Sequence, residues 1–469
     1  MKLLFASSEI YPYAKTGGLA DVSQALPKAL YQKIDTYSIM PLYGFIDRQK
    51  HKIYPLNRSF YINLGADRYS ISLYQGFNKG VKSIFVYEDR LCDREYPYGD
   101  ELKGDYDDND IRFAIFCRSI VEVAKMYEID ILHLNDWHTA LSALYARELY
   151  LNIRIIFTIH NLAFQGVYPK STMDRLGLDP RYLHQDSLEF WGDINLLKAG
   201  ITYSDIITTV SPKYAQEMLT PEFGCGIDGF LKLHKEKIVG ILNGIDTFLF
   251  DPLSDSVIPQ KYSRYSFYKK RENKRAYCRE LGFDESLPLF IFVGRFTKQK
   301  GLDIIIQTLP KILDLGLNIA ILGEGDMDMA LKLIDMETEH DNLSIVFGYD
   351  ESLSHQMYAA ADFMLMPSSF EPCGLNQLIS LRYGTIPIVH PVGGLYDTIS
   401  DIEDIDSQIC GRGIEIAKLD SDGLVEAIKR ALDIYQSYDI LEEIAVSNMA
   451  CDVSFEDSSQ IYLMNYMES

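Results

Sequence analysis

The chain of 469 residues is 47% hydrophobic and 24% charged, a soluble globular balance, and its length predicts two domains of roughly 200 residues each rather than one core. Lys plus Arg number 45 against 67 Asp plus Glu, a formal net charge of −22, which argues against nucleic acid or an anionic membrane as partner. The seven cysteines (Cys92, Cys117, Cys225, Cys278, Cys373, Cys410 and Cys451) form no CxxC pair or Cys/His cluster, so reduced thiols, a cytoplasmic protein and no structural zinc are expected.

The first apolar run, Leu3–Ala6, is too short for the ~7–15-residue core of a secretory signal and predicts a buried strand. No run approaches the ~18 apolar residues of a membrane span. Further strand-length runs follow in order: SIFVY (83–87), ILHLN (131–135), RIIFTIH (154–160), IITTV (206–210) and IVGILNG (238–244). Residues 244–288 are turn-rich, then strongly basic, and lack strand periodicity, which places a domain boundary near 243. Strands resume with LFIFVG (289–294), IAILGEG (319–325), SIVFGY (344–349), FMLMP (363–367) and TIPIVH (385–390). Helical patterns lie between many of them. The clearest is GLVEAIKRALDIY, with Leu424, Ile428, Ala431, Leu432 and Tyr435 on one face. Strands alternating with helices predict doubly wound parallel sheets. The expected division is 1–243, 244–448 and a closing helix over 449–469 that returns to the first domain, with Ile461, Met464 and Met467 on one side.

In open α/β sheets, ligands sit beyond the carboxyl ends of the strands. Five loops there carry chemistry. Lys15-Thr16-Gly17-Gly18 follows the first strand and precedes a helix-like run, an anion-seeking arrangement, although a Lys-Gly-Gly turn alone is usually only a turn. Asp136-Trp137-His138 offers a ring suited to stacking on a sugar. His160-Asn161 closes the next strand, where a satisfied core histidine is the plain alternative. In the second domain Arg295, Lys298 and Lys300 follow one strand, and Glu371-Pro372-Cys373-Gly374-Leu375 leads into a helix. Two fixed cations beside an open helix start describe a diphosphate site. The plain readings are a solvated basic loop, a helix-capping glutamate and a packing cysteine.

Two rival motifs are weak. ILGEGDMD has Gly323 and Gly325, but Asp328 stands where a dinucleotide fingerprint needs its third glycine. Its DMD resembles a metal-binding triplet, yet DSD (420–422) and DID (404–406) also occur, and acids in a first helical turn are expected from the helix dipole.

These motifs together carry a resemblance. KTGGLADV (15–22), DWH (136–138), TIHNLAFQG (158–166), LKAGI (197–201), TTVSPKYAQEM (208–218), LNGID (242–246), FVGRFTKQKG (292–301) and FEPCGLNQL (370–378) resemble, in order, the bacterial glycogen synthase and plant starch synthase family. The resemblance implies a GT-B fold, two Rossmann-like domains facing across a deep cleft. It implies retaining transfer of glucose from ADP-glucose to the non-reducing end of an α-1,4-glucan, with no metal or other cofactor. Carried onto this sequence, Lys15, Gly17 and Gly18 would meet the donor's distal phosphate and glucose. Arg295 and Lys300 would neutralise the leaving diphosphate, and the Gly374–Leu375 backbone would add N–H donors. Glu371 and Cys373 would face the glucosyl unit, Asn243 and His160 would hold its hydroxyls, and Tyr349 would stack on adenine. Asp136, Trp137 and Asn161 would lie along the acceptor side.

The sequence departs from the family at Asn376, often Thr, at Ser454-Phe455, usually Ser-Trp, and over the short, atypical stretch 31–39. Charge separation between sugar and ADP would be stabilised by Lys15, Arg295 and Lys300. No second carboxylate pairs with Glu371 by motif, so the resemblance favours front-side attack in which the leaving phosphate takes the acceptor's proton. The rivals are a UDP-glucose-dependent transferase of the same fold and a catalytically silent glucan-binding protein. Oligomeric state is not legible.

Overall fold

The computed structural model describes residues 1–100, 104–405 and 408–467. By its internal contacts the chain forms two units, Met1–Asn243 with Phe455–Ser469, and Gly244–Ser454.

In the first unit nine strands form one sheet: β1 Lys2–Ala6, β2 Asp35–Pro41, β3 Tyr54–Leu64, β4 Asp67–Asn78, β5 Val81–Tyr87, β6 Ile131–Asn135, β7 Arg154–Ile159, β8 Ile206–Thr209 and β9 Ile238–Gly240. Their order is β9-β8-β7-β6-β1-β2-β5-β4-β3. Pairing is parallel from β9 to β5, and β4 and β3 add an antiparallel edge. The runs of Leu, Ile and Phe in β1, β6 and β7 are buried because helices cover both faces of such a sheet. The order reverses between β1 and β6, so the loops carrying Lys15 and Asp136 leave from that switch point.

Two features differ from the sequence expectation. The atypical stretch 31–39 contains the start of β2. Its polar residues are satisfied inside the sheet, with Ser38 Oγ donating to Ser83 Oγ at 2.9 Å, so it shows no apolar run. The β3–β4 hairpin went unpredicted because it buries one side only and alternates in polarity.

The second unit has a six-stranded parallel sheet: β10 Leu289–Val293, β11 Asn318–Gly323, β12 Leu343–Phe347, β13 Phe363–Met366, β14 Ile386–Val389 and β15 Ile414–Glu415. The order β12-β11-β10-β13-β14-β15 is the 3-2-1-4-5-6 winding of a Rossmann fold, with its switch point between β10 and β13. The basic stretch before β10 is a helix, Lys270–Leu281, and two of its lysines face inward. Lys270 Nζ donates to the carbonyls of Tyr358 and Ala359 and to Thr385 Oγ1, and Lys274 Nζ lies 2.6 Å from Asp362 Oδ2. The acidic triplets act as caps. Asp326 accepts from the N–H groups of Asp328 and Met329, and Asp420 from that of Gly423. The triplet 404–406 includes Asp406, outside the described residues.

The expected helix over 449–469 is corrected. One helix ends at Met449 and the next spans Glu456–Met467. Between them the chain turns at Ala450–Cys451, and the Ile245 N–H donates to the Val453 carbonyl at 2.8 Å. Ile461, Met464 and Met467 share one side of the second helix, and it is the outer one. Tyr462, Leu463 and Tyr466 are buried, because the Tyr466 hydroxyl finds a partner inside, His133 Nδ1 at 2.7 Å. Residues 468–469 lie outside the described residues.

Candidate active site

In the first unit the turn after β1 is tied down by Glu9, a residue the sequence reading passed over. Its carboxylate accepts the Thr16 N–H at 2.5 Å, the Thr16 hydroxyl at 2.7 Å and the Tyr98 hydroxyl at 2.5 Å. The Gly17 N–H also points to it, and burial raises its pKa against these hydrogen bonds. The Thr16 and Gly17 N–H groups are therefore committed inward. Lys15 Nζ pairs with Asp21 at 2.8 Å, in the first turn of the helix Gly18–Leu30. Gly17 has an extended backbone, φ −165°, that any residue adopts, and a Cβ there would meet nothing within 4 Å. Neither conformation nor packing demands this glycine; its missing side chain keeps a space open.

The loops after β6 and β7 are braced together. Asp136 holds a left-handed φ of 55°, and its Oδ1 accepts the His160 N–H at 2.8 Å. Asn135 Nδ2 donates to the Ala6 carbonyl, which turns Asn135 Oδ1 toward His160 Nε2 at 2.8 Å. The Nε2 is therefore the protonated nitrogen. Burial lowers the His160 pKa to about 3, so the ring is neutral and Nδ1 is an acceptor for a hydroxyl. Asn161 forms a local turn, its Oδ1 accepting the Ala163 N–H. Asn243 Oδ1 is buried without a hydrogen-bond partner, in a residue only 6% exposed.

Trp137 is corrected. It is 7% exposed, and its ring packs against Phe113, His138 and Tyr168. A Cβ on Gly166 would stand 2.5 Å from that ring. Trp137 is thus a wedge that seats the 161–166 loop, not an open stacking surface.

Burial pushes the Asp136 carboxyl up to about 7, with the Glu9 charge adding to the rise and the His160 and Asn161 N–H groups opposing it. Between about pH 4 and 7 the folded state then holds a proton that the unfolded state has released, so stability falls as pH rises through that window. Asp136→Asn should flatten the Tm–pH curve there and raise stability at neutral pH by on the order of 2–4 kcal/mol. Melting curves from pH 4.5 to 8 test this; parallel curves for the two proteins would refute it.

In the second unit two loops at the switch point are stapled to each other. Gln299 Nε2 donates to the Phe370 carbonyl, and the Ser369 N–H donates to the Gln299 carbonyl. Gly301 has φ 72° and lies so close to Pro367 that a Cβ would stand 2.0 Å from its carbonyl oxygen. The staple brings together Lys300 and Glu371, whose Nζ and Oε2 are 2.5 Å apart, with Ser368 Oγ donating to the same carboxylate. Glu371 is buried, while Arg295 is exposed.

The helix Asn376–Tyr383 begins without a side-chain cap, after Gly374 at φ 69° and Leu375. Asn376, the departure from the family, anchors this start by donating to the Val293 carbonyl at 2.7 Å. Gly393 and Gly394, also unpredicted, let a following helix abut the loop. Their Cβ atoms would fall 2.1 Å from the Glu371 carbonyl and 1.9 Å from that of Cys373, a residue that is itself buried. Tyr349, just past β12, is 60% exposed. Among the described residues no three His, Cys, Asp or Glu side chains converge as a metal site, and no helix is long and apolar enough to cross a membrane.

Two doubly wound units, each with cationic and hydrogen-bonding groups at its switch point, are the construction of a GT-B glycosyltransferase. The family model for the starch synthase catalytic domain matches residues 2–233, and that for glycosyl transferases group 1 matches 273–446. The glycogen synthases of Bacillus cereus (strain Q1) and Aquifex aeolicus (strain VF5) are each 39% identical to this chain. The first alignment covers 99% of both chains, the second 100% of this chain and 99% of the relative. The catalytic domain of starch synthase IV from Arabidopsis thaliana, solved with ADP and acarbose, superposes with a TM-score of 0.92 at 32% identity, covering 99% of this chain and 98% of that one. Sucrose-phosphate synthase from Thermosynechococcus elongatus, at 17% identity and TM-score 0.64 over all of both chains, shares the fold. The chain belongs to the glycogen synthase and starch synthase family.

Proposed function

We propose that the chain elongates an α-1,4-glucan by transferring glucose from ADP-glucose, with retention at the anomeric carbon and release of ADP. The observation that carries this reading is the stapled pair Lys300–Glu371 beside the exposed Arg295 and the uncapped helix start at Leu375. It gathers fixed positive charge and free N–H groups around one buried carboxylate at the switch point, as a departing diphosphate requires. The ADP in the Arabidopsis starch synthase supports ADP as the nucleotide, and its acarbose supports an oligosaccharide acceptor.

In this reading Arg295 and Lys300 take the growing charge on the diphosphate, and the Gly374–Leu375 backbone adds hydrogen bonds. Lys15 leaves Asp21 for the distal phosphate, and the space at Gly17, beside Gly18, admits the donor. His160 Nδ1 and Asn243 Oδ1 accept hydroxyls of the transferred glucose, which gives the buried acceptor of Asn243 its missing partner. Glu371 and Cys373 flank that sugar, and Tyr349 carries the adenine. Asp136 and Asn161 shape the acceptor side, with Trp137 supporting them from beneath. The acceptor hydroxyl attacks from the face the diphosphate leaves, and a phosphate oxygen takes its proton. Side-chain cations do the neutralising, so the reading assigns no metal. It also places the protein in the cytoplasm.

The test is glucose incorporation into glycogen from ADP-glucose and UDP-glucose side by side, with EDTA present. Transfer from ADP-glucose is expected. Transfer from UDP-glucose alone would overturn the donor. No transfer by folded protein would favour a silent glucan-binding protein.

A further inference from the structure

We propose that Trp191 is a stacking platform for the glucan chain beyond the reacting end, an inference that rests on the acceptor proposed above. Of the two tryptophans in the chain, Trp137 is buried, but Trp191 is 86% exposed. It occupies the first position of a two-residue hairpin turn between Glu189–Phe190 and Asp193–Asn195, and both turn residues have left-handed φ, Trp191 at 53° and Gly192 at 93°. A turn of this kind favours Asn or Asp before Gly, and a bulky ring with positive φ is a genuine outlier. The largest apolar side chain thus stands in water on an unfavourable backbone, with no packing in return. Strain of this sort collects at sites of function.

The hairpin is held firmly. Lys198, buried behind it, donates from Nζ to the carbonyls of Gln185 at 2.7 Å and Glu189 at 2.5 Å, and its ammonium lies over the Phe230 ring. Val167–Tyr168 extends the hairpin into a three-stranded sheet. Its root joins the candidate site. The Leu196 N–H donates to the carbonyl of Gly166, the residue seated on Trp137, next in sequence to Asp136.

The chemistry at the tip suits a sugar. An indole face takes the apolar C–H face of a glucosyl ring, while the carboxylates of Glu189 and the exposed Asp193 are acceptors for its hydroxyls. A stable protein–protein interface needs about 1,200–2,000 Å² of buried surface, which a single ring flanked by acids does not offer.

The test is Trp191→Asn, the residue this turn prefers, so folding should not suffer. The KM for glycogen relative to that for maltose should rise roughly tenfold, as loss of one aromatic anchor predicts. Acrylamide should quench Trp191 fluorescence in the wild type, and maltoheptaose should protect it. An unchanged KM ratio together with no protection would overturn the proposal. So would a concentration-dependent dimer that the substitution abolishes, which would make the tip a contact between copies. If the wild type transfers no glucose to any acceptor, the functional reading fails, and the quenching measurement still decides Trp191.

Discussion

Replacing Lys300 with glutamine should lower kcat by about 10²–10³, with a smaller change in the KM for ADP-glucose. Glutamine keeps a hydrogen-bond donor and removes the charge. In the ground state that charge faces Glu371 at 2.5 Å. In the transition state it also meets the negative charge growing on the diphosphate, so its loss falls mainly on the chemical step. A second effect follows from burial. Without Lys300, the Glu371 carboxylate keeps the Ser368 hydroxyl but no adjacent cation, and an unpaired buried charge is costly. Lys300→Gln should therefore also lower Tm, and adding Glu371→Gln should restore part of it. A double-mutant cycle on Tm should give a coupling above about 1 kcal/mol. A Lys300→Gln enzyme with kcat within about threefold of the wild type would remove Lys300 from the chemistry.

Why this pair was legible, and others were not, has a physical basis. Lys300 and Glu371 are 71 residues apart, yet each follows a continuous apolar run, and runs buried on both faces stand out in sequence. Once the runs are parallel strands, the rule that ligands gather at their carboxyl ends brings the two loops together. Glu9, Tyr98, Asn135 and Ser368 give no sign of their partners, although Asn135 ends one apolar run and Ser368 follows another. Each works by hydrogen-bonding to loops whose paths exist only in three dimensions, and an isolated Glu or Tyr is common on any surface. Gly393 and Gly394 were more accessible: Gly-Gly-Leu-Tyr-Asp after a strand repeats the form of Gly-Gly-Leu-Ala-Asp at 17–21. Trp137 misled because its loop position suggested exposure, and neither Phe113 nor Gly166 is near it in sequence. Which side of the tail helix faces inward was not legible either. Methionines look more apolar than tyrosines on a helical wheel, but Tyr466 has a buried hydrogen-bond partner and so faces in.

That tail carries the second large effect. A chain truncated after Ser454 should lose the cooperative unfolding of its first unit and, with it, activity. The helix Glu456–Met467 belongs to that unit although it lies more than 200 residues along the chain from the unit's other residues. Phe455, Tyr462, Leu463 and Tyr466 share a core cluster with Leu3, Phe5, Val22 and Leu26. Each such side chain contributes ~1.5–3 kcal/mol on burial, so the four together reach roughly 6–12 kcal/mol, about the whole net stability of an ordinary domain, ~5–15 kcal/mol. Polar ties add to this: Arg154 Nε donates to the Asn465 carbonyl, and Lys33 Nζ pairs with Glu456. A single substitution isolates one of them. Tyr466→Phe keeps the ring and leaves His133 Nδ1 buried without its partner. Burial holds this histidine's pKa down to about 3, so protonation cannot compensate near neutrality. The expected cost is about 1–3 kcal/mol. Calorimetry should resolve the hierarchy, with the first unit's transition lowered in Tyr466→Phe and absent in the truncation. A truncated chain that melts like the full-length protein and still makes glucan would show that this helix is dispensable to the core it closes.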